Sequence, residues 1–378
     1  MKIALVNYSG GGLSGGCRKY LRQIVPILRA DPRVDELSIF VPPKIDLFAC
    51  GPCLTWPETS PLHSISFIKR KLADLKPDVI FIPNFWHLGA GDVPVVVMIR
   101  NMEWAAMPLS RNSAMDLLRN VLRRTLALRG CRKATRVIAV SDFVRDFLGT
   151  RWKIPVEKID RVYHGITPVG DPARFIQPAA LKSADSRPFI FTGGSIRTNR
   201  GLEDLLGAAA DARVRRHGLR LVIAGGVDSG SEFYKRELDQ LAQASGLRPD
   251  IIYTGSLNES EMNWCYQHCR MFVMTSRVEA CPNTALEAMA HGCRIVSTNN
   301  APMPEFFRDA ADYYTAGVAD ELALRIDEAL GESPEGKEIR AKRAFEIASE
   351  FTWKKTVDAT LESLKRALSN RDGRQGGS

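Results

Sequence analysis

The sequence lacks the long apolar runs and the paired cysteines that would mark a membrane-spanning or a disulfide-stapled protein. Its longest apolar stretches, such as residues 93–99, have the length of a strand, whereas a membrane-spanning helix needs about 20 apolar residues. The eight cysteines are scattered without a framework, as is typical of free thiols in a reducing compartment. The N-terminus runs directly into glycines without a cleavage-site pattern, so we expect a first strand instead of a signal peptide, and a cytoplasmic location.

Motifs of redox and zinc chemistry are also missing. Cys50-Gly51-Pro52-Cys53 copies the tetrapeptide of thiol oxidoreductases, but Trp56-Pro57 follows and breaks the helix that this chemistry requires. Cys265 and Cys269 have helical spacing, with no second ligand pair nearby in the sequence. We therefore expect neither a redox centre nor a structural zinc ion.

The composition is that of a globular protein with a basic first half. Hydrophobic residues make up 45% and charged residues 25% of the 378 positions, which excludes a disordered or fibrous chain and predicts two or three domains. Residues 1–175 carry 26 Lys and Arg against 15 Asp and Glu, whereas the remainder carries 26 against 28. The net charge of +9 therefore originates in the first half.

Short β-branched runs alternate with helical patterns along nearly the whole chain, which predicts βαβ units and parallel sheets. The predicted strands are residues 2–6, 37–41, 79–82, 93–99, 136–140, 158–162, 189–192, 220–224, 251–254, 271–274 and 294–298. Each half begins afresh with a strand, a glycine-rich turn and a helix. The fold class is therefore α/β, with two doubly wound parallel-sheet, Rossmann-like domains facing a cleft and ligands at the carboxyl ends of both sheets.

The domain boundaries follow from composition. We predict an N-terminal domain over residues 1–168 and a C-terminal domain over residues 188–350. Residues 169–187, rich in Pro, Ala, Ser and Asp, are expected to form a hinge. A helix over residues 351–368 is expected to pack back on the N-terminal domain, and the polar, glycine-rich residues 369–378 to form a disordered tail.

Two glutamates follow the predicted strand that ends at residue 274. Glu279 lies in the loop after this strand, and Glu287 lies about one turn into a helix that begins near Asn283 or Thr284, both good capping residues, with Pro282 just before it. A helix N-terminus offers N–H groups and a positive dipole end to phosphate or sugar oxygens. Each carboxylate accepts hydrogen bonds from vicinal hydroxyls, which a ribose and a hexose both present.

This stretch resembles the E-x7-E signature of the retaining glycosyltransferases of the GT-B fold, the large family 4 group. The flanking residues 286–292 and 303–305 agree with the family's pattern, and the resemblance covers residues 1 to about 368. It implies transfer of a sugar from a nucleotide diphosphate-sugar to an acceptor hydroxyl, in surface polysaccharide, lipopolysaccharide or glycolipid synthesis. It also implies that Glu279 holds the transferred sugar and Glu287 the donor ribose.

The resemblance places the donor diphosphate against Gly194, Ser195 and Arg200. The family usually has an arginine where Ser195 stands and a lysine where Arg200 stands. The second cation is therefore kept, as a guanidinium that can bridge two phosphate oxygens, with a solvated charge as the alternative. The first cation is lost, and Arg197 is a candidate substitute.

Further donor contacts are implied on other loops. Gly15 and Gly16 match the family's Gly-Gly loop, where the backbone approaches the diphosphate without a side chain in the way. Ser256 and Leu257 match the turn that contacts the base through backbone groups. The glycine run does not fit the G-x-G-x-x-G spacing, which disfavours a dehydrogenase.

One departure from the family lies in the first half. Arg100 and Asn101 stand where many members carry His-Asp or His-Asn, although a subset of the family resembles this Arg-Asn pattern. Arg100 is expected to stabilise the leaving phosphate or an acidic acceptor, with a structural ion pair as the alternative. His87, Asn101 and His164 are candidates for the acceptor side, and each histidine is also open to a packing role.

No Asp-x-Asp occurs in the chain, the pair by which metal-dependent glycosyltransferases hold a divalent ion. We therefore expect no metal and no cofactor. An epimerase or a phosphorylase of the same fold, and a catalytically silent nucleotide-sugar-binding partner, are the alternative functions. The glutamate pair favours a transferase over an epimerase, and a cofactor lysine of the phosphorylase type is not identifiable.

The segment between Arg111 and Arg136 holds eight cationic residues and one Asp, with leucines at helical spacing. Such a face suits anionic lipid headgroups or a lipid-linked acceptor, and it equally suits the solvated face of an ordinary packed helix. Nucleic acid is disfavoured as a partner because aromatic residues are not interleaved with the charges.

Overall fold

The computed structural model describes residues 1–8, 15–42, 51–57, 60–89, 91–106, 114–182, 185–228 and 230–375. The chain divides into two compact units, one of Met1–Gly165 with Phe351–Ser378 and one of Ile166–Glu350. None of the described helices combines the length and the apolar character needed to span a bilayer.

The first unit is built on a parallel sheet. Its described strands are β1 (Lys2–Val6), β2 (Glu36–Val41), β3 (Leu54–Thr55), β4 (Val79–Ile82), β5 (Val95–Ile99), β6 (Arg136–Ala139) and β7 (Ile159–Arg161). They lie in the order β3-β2-β1-β4-β5-β6-β7. Every residue of β4 and β5 is buried, as expected where helices cover both faces of a parallel sheet.

The connecting helices of this unit are α1 (Gly15–Ala30), α2 (Pro61–Leu75), α3 (Glu103–Ala106), α4 (Ala114–Lys133) and α5 (Asp142–Thr150). Serine side chains cap two of them. The hydroxyl of Ser60 accepts a hydrogen bond from the His63 amide at the start of α2, and that of Ser141 accepts one from the Val144 amide at the start of α5.

The second unit repeats the plan with a smaller sheet. Its described strands are β8 (Phe189–Gly193), β9 (Arg220–Ala224), β10 (Ile251–Gly255), β11 (Met271–Met274), β12 (Ile295–Thr298) and β13 (Ala311–Tyr314), all parallel. Their order is β10-β9-β8-β11-β12-β13. The strand order reverses between β8 and β11, and the carboxyl ends at such a switch point form a ligand-binding crevice.

The helices of the second unit are α6 (Ala179–Lys182), α7 (Leu202–Ala210), α8 (Ala212–Arg215), α9 (Glu232–Ala244), α10 (Glu259–His268), α11 (Asn283–Ala290), α12 (Met303–Phe307), α13 (Ala319–Gly331) and α14 (Pro334–Ser349). Apolar side chains of α7, α9 and α13 pack on one face of the sheet. Leu205, Leu238 and Ile326 are buried there against Val273 of the central strand β11.

The chain then returns to the first unit as α15 (Trp353–Gln375), which packs against α1 and the central strands. A buried charge network fixes this helix to the sheet. Asp160 of β7 receives two hydrogen bonds from Arg136, at 2.5 and 2.7 Å, one from the Ser363 hydroxyl at 2.7 Å and one from Arg366 at 2.8 Å. Burial alone would raise the pKa of Asp160, but these hydrogen bonds outweigh it and hold the pKa below its ordinary value.

The predicted fold class is confirmed, since both units are α/β with parallel sheets. Two strands went unpredicted. β3 is two exposed residues at a sheet edge, and β13 (Ala-Asp-Tyr-Tyr) is interrupted by a charged residue that hides its pattern.

Two segment boundaries differ from the sequence prediction. Residues 169–187, expected to form a hinge, belong to the second unit and contain a 3-10 turn (Pro172–Arg174) and α6. The Ser260 hydroxyl donates to the Arg174 carbonyl at 2.5 Å and Arg187 donates to Asp250 at 2.8 Å, which attaches the segment to that unit. Residues from 369 onward, expected to be disordered, continue α15 as far as Gln375. No proline or glycine interrupts residues 369–372, so the helix propagates through them.

Candidate functional site

Glycines bring three strand-end loops of the second unit together. The Gly194 amide, after β8, donates to the carbonyl of Ala224 at 2.8 Å, and the Gly225 amide, after β9, donates to that of Gly255 at 2.8 Å. A Cβ on Gly225 would lie 2.1 Å from the Gly194 oxygen, and the φ of Gly225 is +143°. Only glycine fits such an approach of two backbones, so the loops after β8, β9 and β10 lie close together at the carboxyl edge of the sheet.

Arg200 and Glu279 meet at this edge. Arg200 ends a 3-10 turn (Thr198–Arg200) after the Gly194 loop, and Glu279 lies in the loop after β11. Arg200 Nη1 lies 2.8 Å from Glu279 Oε1, and the two side chains are 20% and 17% exposed. The Ser276 hydroxyl joins them, since it donates to Glu279 Oε1 at 2.9 Å and lies 3.3 Å from Arg200 Nη1. The structure thus brings together two predicted site residues that are 79 positions apart in the sequence.

A second charge network fixes the loop that carries Glu279. Arg277 binds Asp204 through both nitrogens of its fork, at 2.5 and 2.7 Å, and Glu203 at 3.0 Å. Burial would lower the pKa of Arg277, but the hydrogen bonds with Asp204 keep it above its ordinary value, so the guanidinium stays charged. The Thr275 hydroxyl adds a hydrogen bond to the Arg200 carbonyl at 2.6 Å. The loop is therefore held in one shape.

Helix α11 carries Glu287 in its second turn. The phenol of Tyr266, a fully buried residue of α10, donates to Glu287 Oε2 at 3.3 Å. The prediction that this helix begins near Asn283 or Thr284 is confirmed, whereas the prediction that one of these two residues caps it is wrong. Pro282 occupies the capping position, and the two residues already lie inside the helix, so no side-chain cap satisfies its first N–H groups.

The remaining donor-side residues of the second unit lie on neighbouring loops. Ser195 is half-buried after Gly194, while Ser256 is exposed and Leu257 half-buried after the edge strand β10. A Cβ on Gly226 would lie 3.2 Å from the Ser256 hydroxyl, so the loops after β9 and β10 adjoin. The candidate substitute cation, Arg197, instead forms an ion pair with Asp228 at 2.7 Å.

The predicted residues of the first unit lie after the carboxyl ends of its strands and at the start of α1. Gly15 and Gly16 begin α1, and a Cβ at Gly16 would meet no atom within 4 Å. The preceding residues 9–14 lie outside the described part of the chain. Arg100, after β5, has its guanidinium carbon 5.5 Å from the centre of the Tyr20 ring. Asn101 is exposed, and its side-chain oxygen accepts a hydrogen bond from the Glu103 amide at 2.9 Å at the start of α3.

The two histidines occupy different environments. His87 is half-buried after β4, where burial lowers its pKa. His164 is 5% exposed, and its ring packs between Tyr20 at 4.9 Å and Trp353 at 6.1 Å. Burial lowers the pKa of His164 to about 3, and neither ring nitrogen has a hydrogen-bond partner among the described residues. The prediction of His164 on the acceptor side is therefore corrected to a packing role, because aromatic rings enclose it.

Several residues of the site escaped sequence reasoning. Ser276, Arg277 and Tyr266 position the two glutamates, yet each is an ordinary residue of its strand end or helix in the sequence. The glycine pair Gly225-Gly226 directly after a predicted strand was the one available signal. Among the described residues, no group of three or more His, Cys, Asp or Glu side chains is placed to hold a metal ion.

Two family models match the chain. "Glycosyltransferase Family 4" matches residues 32–169, and "Glycosyl transferases group 1" matches residues 174–345, which include Arg200 and both glutamates. The chain belongs to the group 1 glycosyltransferases. The sequence resemblance to the GT-B glycosyltransferases is therefore confirmed.

Curated relatives of this glycosyltransferase include enzymes of glycolipid and lipopolysaccharide synthesis. The alpha-monoglucosyldiacylglycerol synthase of Streptococcus pneumoniae is 27% identical over 60% of this chain and 52% of its own length. The lipopolysaccharide 1,2-N-acetylglucosaminetransferase of Salmonella typhimurium is 25% identical over 49% of this chain and 50% of its own. The chain thus spans about half the length of these two relatives.

Solved structures agree on the fold. The Anabaena protein HepE, crystallised in complex with UDP-glucose, matches 97% of this chain and 100% of its own with a TM-score of 0.73 and 18% identity. Identity this low supports the architecture alone. The glycosyltransferase has the GT-B fold.

Proposed function

We propose that this glycosyltransferase moves a sugar from a nucleotide diphosphate-sugar to an acceptor hydroxyl, with retention of the anomeric configuration and without a metal ion. The observation that carries the proposal is the meeting of Arg200, Glu279 and the Gly194 loop at the carboxyl edge of the second sheet. A cation, a carboxylate and a glycine-lined backbone at a strand-order switch point match the needs of a sugar joined to a diphosphate. The UDP-glucose bound by HepE supports a donor of this class.

The donor is proposed to lie along the loops of the second unit. Arg200 and the backbone near Gly194 would bind the diphosphate, and the first turn of α11 adds N–H groups and a positive dipole end. Glu287, oriented by the Tyr266 phenol, would bind the ribose hydroxyls. Glu279 would accept hydrogen bonds from the sugar hydroxyls.

The remaining donor contacts are proposed from the positions of their residues on the neighbouring loops. The backbone of Ser195, Ser256 and Leu257 is proposed to contact the phosphate and the base. Gly15 and Gly16 at the start of α1 stay predictions for contacts with the diphosphate, and Arg100 stays a prediction for stabilising the leaving phosphate. His87 and Asn101 stay predictions for the acceptor side.

The proposed chemistry needs no group beyond these residues. The bond between the sugar C1 and the β-phosphate oxygen breaks with its electron pair on the phosphate, leaving an oxocarbenium-like centre. The acceptor oxygen bonds to C1 from the same face, and its proton passes to the departing phosphate oxygen. Arg200 and the N-terminus of α11 offset the negative charge that develops there. Glu279 holds the sugar in place during the exchange.

The acceptor class follows from the relatives by analogy. The activities in their names, synthesis of a glycolipid and sugar transfer in lipopolysaccharide, favour a saccharide or lipid-linked acceptor of the cell surface. A nucleotide-sugar epimerase, a phosphorylase and a silent nucleotide-sugar-binding protein are the competing functions. A silent protein would bind the donor without releasing nucleotide.

A panel of nucleotide-sugars tests the proposal. Each is screened for an increase in melting temperature and then for release of the nucleoside diphosphate, once in EDTA and once with Mg²⁺ or Mn²⁺ in its place. We expect one donor to raise the melting temperature and to be slowly hydrolysed in EDTA, since most well-placed donors also react with water. Stabilisation without any release would favour the silent alternative, and release only with added Mg²⁺ or Mn²⁺ would contradict metal independence.

Helix α4 is proposed to bind the anionic surface of a bilayer, at its cytoplasmic side. Leu118, Val121 and Leu122 are 66%, 45% and 57% exposed, at a spacing that forms one apolar stripe. Arg119 and Arg123 are exposed beside them. Apolar side chains flanked by arginines suit the boundary between headgroups and acyl chains. The excess positive charge of the first half favours the same partner.

Vesicle binding tests this surface. In a flotation assay with phosphatidylglycerol-containing vesicles, the wild type should be recovered in the floating vesicle fraction. The double variant Arg119→Glu/Arg123→Glu should bind at least tenfold less, because about 1 kcal/mol is lost per cation removed near the surface. Leu118→Ser/Leu122→Ser should also weaken binding. Leu62→Ser on α2, where Leu62 is 79% exposed, is the matched control. Binding by the arginine variant equal to that of the wild type would contradict the proposal.

A further inference from the structure

We infer that Glu279 competes with the donor's diphosphate for Arg200, so that this carboxylate helps to expel the nucleoside diphosphate after the sugar has left. The inference rests on the proposed function, since it assigns a second task to a residue of the same site. It concerns the release of product instead of the formation of the new bond.

Arg200 lies between the Glu279 carboxylate and the backbone of Gly194. On one side its Nη1 lies 2.8 Å from the Glu279 carboxylate. On the other side the guanidinium lies against the Gly194 backbone, where an added Cβ would be 2.1 Å from Nη2 and 2.4 Å from Cζ. The Gly194 loop is the proposed diphosphate site, so Arg200 spans the gap between the sugar-binding carboxylate and the phosphate position.

Neighbouring guanidinium groups are engaged elsewhere. Arg277 is held by Asp204 and Glu203, and Arg197 lies 2.7 Å from Asp228. Of these three guanidinium groups of the second unit, Arg200 is therefore the one that a diphosphate at the Gly194 loop would draw on. The diphosphate does so only by weakening the pair between Arg200 and Glu279, which is partly shielded from water and therefore stronger than a surface pair.

The intact donor and the product differ in the hydrogen bonds that they can donate to Glu279. A nucleotide-sugar takes Arg200 for its diphosphate but offers sugar hydroxyls to the carboxylate in exchange. The nucleoside diphosphate also binds Arg200 but has no sugar hydroxyls to donate to Glu279, so the carboxylate is left facing an anion. Once the sugar has moved to the acceptor, re-formation of the Arg200–Glu279 pair, supported by the Ser276 hydroxyl, opposes retention of the product. The same carboxylate thus favours donor over product.

The test compares affinities for product and donor. UDP, GDP, ADP and TDP are titrated into the full-length wild type by calorimetry, and the one that binds is used with its sugar form. Glu279→Gln keeps the shape of the side chain but removes its charge. We expect this variant to bind the nucleoside diphosphate about five- to tenfold more tightly than the wild type, and to bind the nucleotide-sugar no more tightly than the wild type. Glu279→Asp withdraws the carboxylate by one methylene. Each of its two affinities should change in the same direction as in Glu279→Gln, but by a smaller factor.

A second background separates competition from simple repulsion. In Arg200→Gln, the added Glu279→Gln change should tighten nucleoside diphosphate binding less than twofold, because the contested cation is gone. Full tightening in that background, or unchanged product affinity in Glu279→Gln alone, would overturn the inference while leaving the proposed function standing. Failure of all four nucleoside diphosphates to bind either the wild type or Glu279→Gln would overturn both.

Discussion

At the scale of single residues, burial decides roles that the sequence leaves open. His164 and His87 are equivalent candidates in the sequence, because each follows a predicted strand beside aromatic neighbours. The structure separates them, since the His164 ring is enclosed by Tyr20 and Trp353 and its nitrogens lack partners among the described residues. A histidine held in this way should remain neutral in the folded protein.

The neutrality of His164 predicts a pH dependence of stability. Above pH about 6.5 the histidine is neutral in both the folded and unfolded states, and it contributes no pH dependence. Below that pH the unfolded chain binds a proton, whereas the folded pKa is lowered to about 3 by burial. The free energy of unfolding should therefore fall by about 1.4 kcal/mol per pH unit between pH 6 and 4 on account of this residue.

Urea unfolding of the wild type and His164→Phe at several pH values measures this slope. The phenylalanine ring keeps the aromatic packing, so the variant should lose less stability on acidification than the wild type by the stated amount. His268→Phe removes an exposed histidine and should follow the wild type. Parallel curves for the wild type and His164→Phe would mean that His164 titrates normally.

The pairing of Arg200 with Glu279 shows what a residue-level prediction from sequence lacks. Spacing identified both residues separately, but the sequence contains no signal that they touch. They follow β8 and β11, which are neighbours in the sheet although β9 and β10 lie between them in the sequence. Ser276, which bridges them, has no motif of its own. Chemistry-bearing residues were therefore predictable from local pattern, whereas their partners required the fold.

At the scale of elements, strands buried on both faces were the most predictable features. β4, β5 and β11 are continuous apolar runs, and each was predicted to within two residues. β3 and β13 escaped because one is a short, exposed edge strand and the other carries Asp312 among its aromatics. The capping residue of α11 and the C-terminus of α15 were less predictable, because capping depends on φ and ψ that composition does not determine.

The attachment of α15 to the first sheet leads to a stability prediction. Asp160→Asn removes the charge that Arg136, Ser363 and Arg366 share. Because the Arg136 side chain is only 9% exposed, it would be left as a buried charge without its counter-ion. We expect a loss of about 3 kcal/mol in the free energy of unfolding.

Urea denaturation of Asp160→Asn against wild type measures this loss. Asp146→Asn is the matched control, because Asp146 is 67% exposed and its pair with Arg145 spans 3.6 Å. That variant should change stability by less than about 0.5 kcal/mol. Equal effects of the two variants would show that the Asp160 network does not hold α15.

At the scale of the whole molecule, two α/β units carry different charges and different parts of the site. The basic surplus lies in the first half of the chain, whereas the second unit holds Arg200, both glutamates and the strand-end glycines. The fold class and the family were predictable because parallel sheets and the E-x7-E spacing leave strong sequence patterns. The identities of the donor base, the sugar and the acceptor depend on loop contacts, which leave no such pattern in the sequence.

The central claim is that Glu279 holds the transferred sugar beside Arg200. Its most direct test is the rate of transfer by Glu279→Ala, measured as product formed with the donor found in the panel. We predict a loss of at least a hundredfold, since positioning and charge stabilisation both disappear. Glu335→Ala, on an exposed turn of α14, should retain the wild-type rate. Transfer by Glu279→Ala at the wild-type rate would contradict the account.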